Sequence, residues 1–157
     1  PSLFATDNII YSPNVLVIRD DNNNFVDPFK ISIISSTPVD YVKIMEMFQK
    51  GEKDKEVFDV MKKRCRRILE LCLVKNNDVL ILADAACGAN YGIPPEIMSC
   101  LFKELLCDEF YGMYFKKIVF AMNNCKEGSL NRIIDIFKDA FTSLIMKISD
   151  KNSNMKS

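Results

Sequence analysis

Apolar positions along this chain follow two rhythms. Short unbroken runs stand at 15–18 (Val-Leu-Val-Ile), at 79–83 (Val-Leu-Ile-Leu-Ala) and at 118–121 (Ile-Val-Phe-Ala), with an isoleucine-rich run interrupted by serine at 31–35 (Ile-Ser-Ile-Ile-Ser). Each is bounded by turn-prone or charged residues, which predicts β-strands. Between them, apolar residues recur at steps of three and four, the spacing of a buried helical stripe. Tyr41, Ile44, Met45 and Phe48 mark a first helix, and a charged break at 51–55 separates it from the next. Val57, Met61, Cys65, Ile68, Leu69 and Cys72 mark a long helix over about 54–73. A third helix is expected from Pro94 to Cys107, and a last one near 129–148 on Leu130, Ile133, Ile134, Phe137, Phe141 and Leu144. Strands alternating with helices predict an α/β protein with a largely parallel, covered sheet holding all four strands. The run at 79–83 is apolar throughout, as a central strand buried on both faces requires.

The polar run Arg19-Asp20-Asp21-Asn22-Asn23-Asn24 predicts a turn, because asparagine tolerates left-handed backbone, and it carries no site role. With 157 residues the chain suits one domain, over 1–149, followed by a polar tail at 150–157. It begins with Pro1 and not Met, which reads as a piece of a longer chain or as a trimmed one.

Charge and chemistry narrow the picture further. Twenty-one basic residues balance twenty-one acidic ones, so there is no global field to draw in nucleic acid or an anionic membrane, and no direct DNA binding is expected. The basic side chains Lys62, Lys63, Arg64, Arg66 and Arg67 are expected on the solvated face of the long helix. No apolar run approaches the length of a membrane span. Histidine is absent, which excludes Ser-His-Asp and Cys-His catalysis and HExxH metal sites. No metal site and no cofactor are expected. Of six cysteines, Cys65 and Cys72 lie seven apart, as do Cys100 and Cys107, without any Cys-x-x-Cys pattern or signal peptide. Reduced thiols buried on helical stripes are the reading, with an intracellular (cytoplasmic or nuclear) setting.

One stretch carries candidate chemistry. After the strand at 79–83 the chain reads LADAACGANYGIP over 82–94, then Pro95 and Glu96. Ligands in open α/β sheets bind beyond the carboxyl ends of strands, where this loop lies. Prolines suit a first helical turn, whose free N–H groups and positive dipole end favour an anion. Ala85, Ala86, Gly88 and Gly92 keep side chains short enough for backbone N–H groups to reach a phosphate. Glu96, in the first turn, competes for the same donors. By this reasoning alone two readings stand: a phosphate-holding loop, or a tight strand-to-helix turn that needs small residues only for packing.

The stretch DVLILADAACGANYGIPPEIMSCLFKELL, followed by YFKKIVFAM, resembles the C-terminal half of the microbial-type poly(ADP-ribose) glycohydrolases, within the macrodomain superfamily. IIYSPNVLVIRDDNNNFVDPFKISIIS is similar to that family's middle segment, so the likeness runs from about Ile9 to Phe141. The resemblance implies a macrodomain-like three-layer α/β/α sandwich, with a mixed, largely parallel sheet, lacking its N-terminal part. It implies ADP-ribose or poly(ADP-ribose) as partner, with Ala86, Cys87, Gly88, Ala89, Asn90, Tyr91 and Gly92 around the diphosphate and distal ribose. Cys87 is then a small packed residue and not a nucleophile. Two departures oppose catalysis. The family's glycine-rich stretch ending in paired glutamates, its acid and base, has no counterpart in residues 1–157, so no catalytic residue is assigned. Ala83, Asp84 and Ala86 also stand where the family has glycine, alanine and glycine, Asn90-Tyr91 replaces an aromatic-led pair, and Asp84 brings a negative charge toward a diphosphate. A non-catalytic ADP-ribose reader or interaction module is the alternative. An unrelated nucleotide-binding domain lacks support, because neither GxGxxG nor a P-loop occurs.

Overall fold

The computed structural model describes residues 4, 6–83, 91–122 and 131–142. They fall into two compact units, one formed by residues 6–37 and the other by residues 1–5 with 38–157.

The first unit is a hairpin. Strand β1 (Ile9–Arg19) pairs antiparallel with β2 (Phe25–Ser36), in a register running from Ile9 opposite Ser36 to Arg19 opposite Phe25. Its turn is closed by Asp20, whose carboxylate accepts from the backbone N–H groups of Asn22 and Asn24 at 2.9 and 2.8 Å, with Asn23 in the left-handed region. Those bonds also hold the Asp20 carboxyl below its ordinary range. The polar run at 19–24 is thus the turn its asparagines predict. The register shifts between Ser12 and Val15, where Asn14 takes φ of 55° and lets the strand bulge past Pro13. Ile10, Leu16, Ile18, Phe25, Phe29, Ile31 and Ile33 are all exposed.

In the second unit, helix α1 (Tyr41–Met47) buries Tyr41 and Ile44, and Asp40 caps it by accepting from the Lys43 N–H. Helix α2 (Asp54–Val74) buries Val57, Met61, Cys65, Leu69 and Cys72, the predicted stripe with Ile68 half-buried. Strand β3 (Val79–Leu82) leads toward α3 (Pro95–Lys103), which runs on into a wide π turn at Glu104–Asp108 closed by the bond from Glu109 N–H to the Glu104 carbonyl. A short 3-10 turn (Tyr111–Tyr114) leads into β4 (Lys117–Phe120), and residues 131–142 are helical. β4 pairs parallel with β3, Val79 opposite Lys117 through Leu82 opposite Phe120. Such a pairing requires a crossover, which here contains α3. Phe120 carries the core outward: its ring lies 5.2 Å from Phe102, 5.1 Å from Phe137 and 5.6 Å from Phe141, in edge-on and tilted geometries that aromatic quadrupoles favour.

The architecture is mixed α/β, with strands and helices where the periodicity places them, but several details differ. Among the described residues the four strands form two two-stranded sheets and not one. β1 and β2 are joined by a tight turn, which only an antiparallel pair permits, whereas β3 and β4 are joined through a helix. β3 is not buried on both faces: Leu80 and Leu82 are buried, while Val79 and Ile81 are 52% and 66% exposed. An unbroken apolar run shows that a strand can be covered twice, not that this chain covers it. Cys65 and Cys72 are buried thiols as expected, yet Cys100 is exposed and Cys107 half-exposed. The buried stripe of α3 and the π turn is Met98, Leu101, Phe102, Leu105 and Leu106, and Cys100 falls on the other side of it. Cys87 lies outside the described residues.

The basic face of α2 is not simply solvated. Arg64 is 2% exposed and donates from Nη2 to the Phe4 carbonyl. Lys62 pairs with Glu104 and, at 3.0 Å, with Glu109, and Arg66 grips Glu109 through both Nε (3.0 Å) and Nη2 (2.6 Å). The π turn accounts for this: its extra residue brings Glu104 and Glu109, five apart, onto the side that faces α2.

Candidate functional site

Of the loop residues Ala86, Cys87, Gly88, Ala89, Asn90, Tyr91 and Gly92, the first five lie outside the described residues, as does Asp84. Tyr91, Gly92 and the two flanks of the loop are described.

On the upstream flank, β3 ends at Leu82, whose carbonyl accepts from Ala121 N–H at 2.8 Å, so the parallel pair is bonded up to the point where the loop departs. At the opposite end of β3, Lys116 pairs with Asp78 at 2.5 Å and holds that carboxyl below its ordinary range. On the downstream flank, Tyr91 is half-buried and Gly92 has φ of +70°, a backbone state that side chains resist. A Cβ at position 92 would stand 2.8 Å from Val42 Cγ2, so the chain passes α1 with no room for even a methyl group. Ile93 is buried and fixes the segment before Pro94, which precedes the helix with φ of −54° and ψ of 131°. The carbonyl of Pro94 receives the first helical bonds, from Ile97 at 3.0 Å and Met98 at 3.3 Å, and Pro95 occupies the first turn, where its missing N–H costs nothing.

The α3 N-terminus carries charge of both signs. Glu96, in its first turn, accepts from Arg132 Nη2 at 2.7 Å, with both side chains largely exposed. Arg132 lies 36 positions away on the helix over 131–142, and no local spacing signals that it belongs beside the loop. Glu104, the next carboxylate after Glu96, is engaged by Lys62 of α2. Val42 and Arg132 are thus the residues near the loop that the pattern of the sequence does not pick out. Among the described residues no group of three His, Cys, Asp or Glu side chains is placed to hold a metal ion, and no helix is long and apolar enough to cross a membrane.

What the arrangement offers is a strand end, a left-handed glycine at the close of the loop and a helix start beside one arginine. At that start Pro94 and Pro95 carry no N–H, Ile97 and Met98 are bonded to the Pro94 carbonyl, and Glu96 supplies the remaining first-turn N–H. The strand end and the positive end of the helix dipole suit an anionic ligand.

No protein-family model and no curated protein matches the sequence. Solved structures do match its fold. Poly(ADP-ribose) glycohydrolase from Deinococcus radiodurans, in complex with ADP-ribose, superposes with a TM-score of 0.76 at 24% identity, over 91% of this chain and 56% of that one. A second crystal form of the same complex gives 0.74 at 25% identity, over 91% and 55%. The enzyme from Thermomonospora curvata gives 0.75 at 24%, over 88% and 49%. The fold of this chain is therefore the α/β, macrodomain-like fold of bacterial poly(ADP-ribose) glycohydrolases, and the chain spans about half the length of the structures it matches.

Proposed function

We propose that this chain is the ADP-ribose-binding portion of a poly(ADP-ribose) glycohydrolase relative, in which the loop 86–92 receives the diphosphate. The observation that carries the reading is the likeness over 91% of the chain to a structure solved with ADP-ribose bound. The loop's composition, the helix start at Pro95 and the left-handed Gly92 agree with it. A diphosphate held by several backbone N–H groups gains charge-assisted hydrogen bonds of about 1.5–3 kcal/mol each. Asp84 and the carboxylate of Glu96 oppose that gain, so the affinity is expected to be below that of an intact macrodomain.

Hydrolysis by this chain alone is not part of the proposal. Its sequence holds no consecutive glutamates and no histidine, while cleavage of a ribose–ribose bond calls for an acid and a base flanking it. That same feature favours the second reading, a non-catalytic ADP-ribose reader or protein-interaction module. A glycine-rich run with paired glutamates encoded directly upstream of Pro1 would decide for the enzyme portion; its absence would decide for the reader. The proposed setting is intracellular, cytoplasmic or nuclear.

Titration calorimetry of ADP-ribose against this chain and its Gly88→Val variant tests the binding claim. The expected result is measurable binding by the first and marked loss in the second, whose branched side chain blocks backbone approach. Equal heats from the two would reduce the loop to a turn. Incubation with poly(ADP-ribose) is expected to release no ADP-ribose; robust turnover would overturn the assignment of the catalytic groups to another segment.

A further inference from the structure

We infer that the turn Glu109-Phe110-Tyr111 is a clasp that α2 keeps closed, with Phe110 as its strained link; let go by α2, the turn passes to a second conformation. The clasp lies where the chain approaches β4, and it owes nothing to the reading of 86–92. Its outlier is Phe110, with φ of 63° and ψ of 13°. Among the described residues, the other non-glycine residues of positive φ are Asn14, Asn23 and Asn76. Asparagine's short polar side chain supports the left-handed state by local hydrogen bonds, whereas a bulky residue there carries a backbone penalty. Packing of the ring does not offset it, since Phe110 is 60% exposed. Such a state persists only where its surroundings over-determine it, and it gathers at clamps and switch regions.

The surroundings here are the two neighbours of Phe110. Lys62, Arg66 and Glu70 follow one another at steps of four along α2 and so form one row on its surface. Arg66 donates from Nε and Nη2 to the two carboxylate oxygens of Glu109 at 3.0 and 2.6 Å, and Lys62 adds a contact at 3.0 Å. On the other side, the Tyr111 hydroxyl donates to Glu70 Oε1 at 2.9 Å. Phe110 therefore stands between two side chains fastened to the same row. The Lys62 and Glu109 side chains are 21% and 30% exposed, so water weakens this pair less than one on open surface. The chain is also anchored before and after the turn, by buried Leu105 and Leu106 and by buried Phe115. Movement is thus confined to the few residues between them. The bond from Met113 N–H to the Phe110 carbonyl, 3.1 Å long, closes the 3-10 turn and reports its state.

The test reads amide hydrogen exchange at Met113, for the turn, and at Leu69 in α2, for the unit as a whole. Glu109→Gln keeps the side chain's shape and removes its charge. It is expected to speed exchange at Met113 about tenfold, well beyond any change at Leu69. Phe110→Asn places at the strained position the residue type that the chain uses at its other left-handed sites. In that background the same Glu109→Gln change is expected to speed Met113 by no more than about threefold, because less strain drives the opening. Tyr111→Phe frees the other side of the clasp, is expected to act in the same direction in both backgrounds, and carries the comparison if Glu109→Gln fails to fold. Equal speeding with Phe110 and with Asn at position 110 overturns the inference, as does an unchanged rate at Met113. A rise at Met113 matched by an equal rise at Leu69 overturns it too, since that is loss of the whole fold and not opening of a clasp.

Discussion

At the scale of single residues, Tyr41 shows how burial and one hydrogen bond become a pH dependence. Its hydroxyl is pushed up to about 12, first by burial and then by the bond to the Asp54 carboxylate. The unfolded chain ionises this group near its ordinary value of about 10. With the folded value raised, Tyr41 contributes stability that is complete below pH 10 and lost as pH climbs from there to about 12. Tyr41→Phe is expected to start lower by about 1–1.5 kcal/mol at neutral pH, since a single hydrogen bond is removed, and to lose stability less steeply across that window. Urea unfolding midpoints of the two proteins between pH 8 and 12 check this; identical slopes would show that Tyr41 is not the group responsible. Glycine at 92 is legible in the sequence as a turn signal, but its neighbour Val42 lies fifty positions away and is not. Only the fold brings an exposed valine against a glycine.

At the scale of elements, the helices were written plainly and their pairings were not. The stripe of α2 can be read off residue spacing because 3.6-residue periodicity is a local property. The burial of Arg64 and the pairing of Lys62 and Arg66 with Glu104 and Glu109 are not local, since they depend on a π turn that ordinary helical spacing does not anticipate. Glu109 is the hub of that link. The hydrogen bond from Arg66, helped by Lys62, holds its carboxyl below the ordinary range. A depressed folded value means that its stabilising contribution is present above the ordinary carboxylate range and is lost as pH falls through the folded value. Glu109→Gln is therefore expected to be less stable than the parent chain at pH 7 and to lose less on acidification to pH 3. The two denaturation curves should converge at the acid end; curves that stay parallel would remove Glu109 from the account. The hairpin illustrates a second limit. Its strands and its turn were legible, but runs of Val and Ile do not say which strand pairs with which.

At the scale of the whole molecule, apolar surface is unevenly distributed. Among the described residues, every buried hydrophobic side chain lies between Val39 and Phe137, and none belongs to the hairpin. Ile10, Leu16, Ile18, Phe25, Phe29, Ile31 and Ile33 stand exposed there, and β3 presents Val79 and Ile81. Among the described residues β3 is bonded on one edge only. An exposed apolar strand with an open edge invites pairing with another chain. The purified protein is accordingly expected to associate with rising concentration, and Ile81→Lys to reduce that association without lowering the thermal midpoint. Sedimentation velocity over a hundredfold range of concentration measures it, and a constant monomer for the parent chain would contradict the expectation. The hairpin's register carries a further consequence. Because Ile9 lies directly opposite Ser36, the two ends of the segment 9–36 emerge side by side, a strand spacing of about 5 Å apart. Such a segment behaves as a cassette: it can be cut out and its ends rejoined through a few glycines, leaving the buried side chains from Val39 onward uninterrupted.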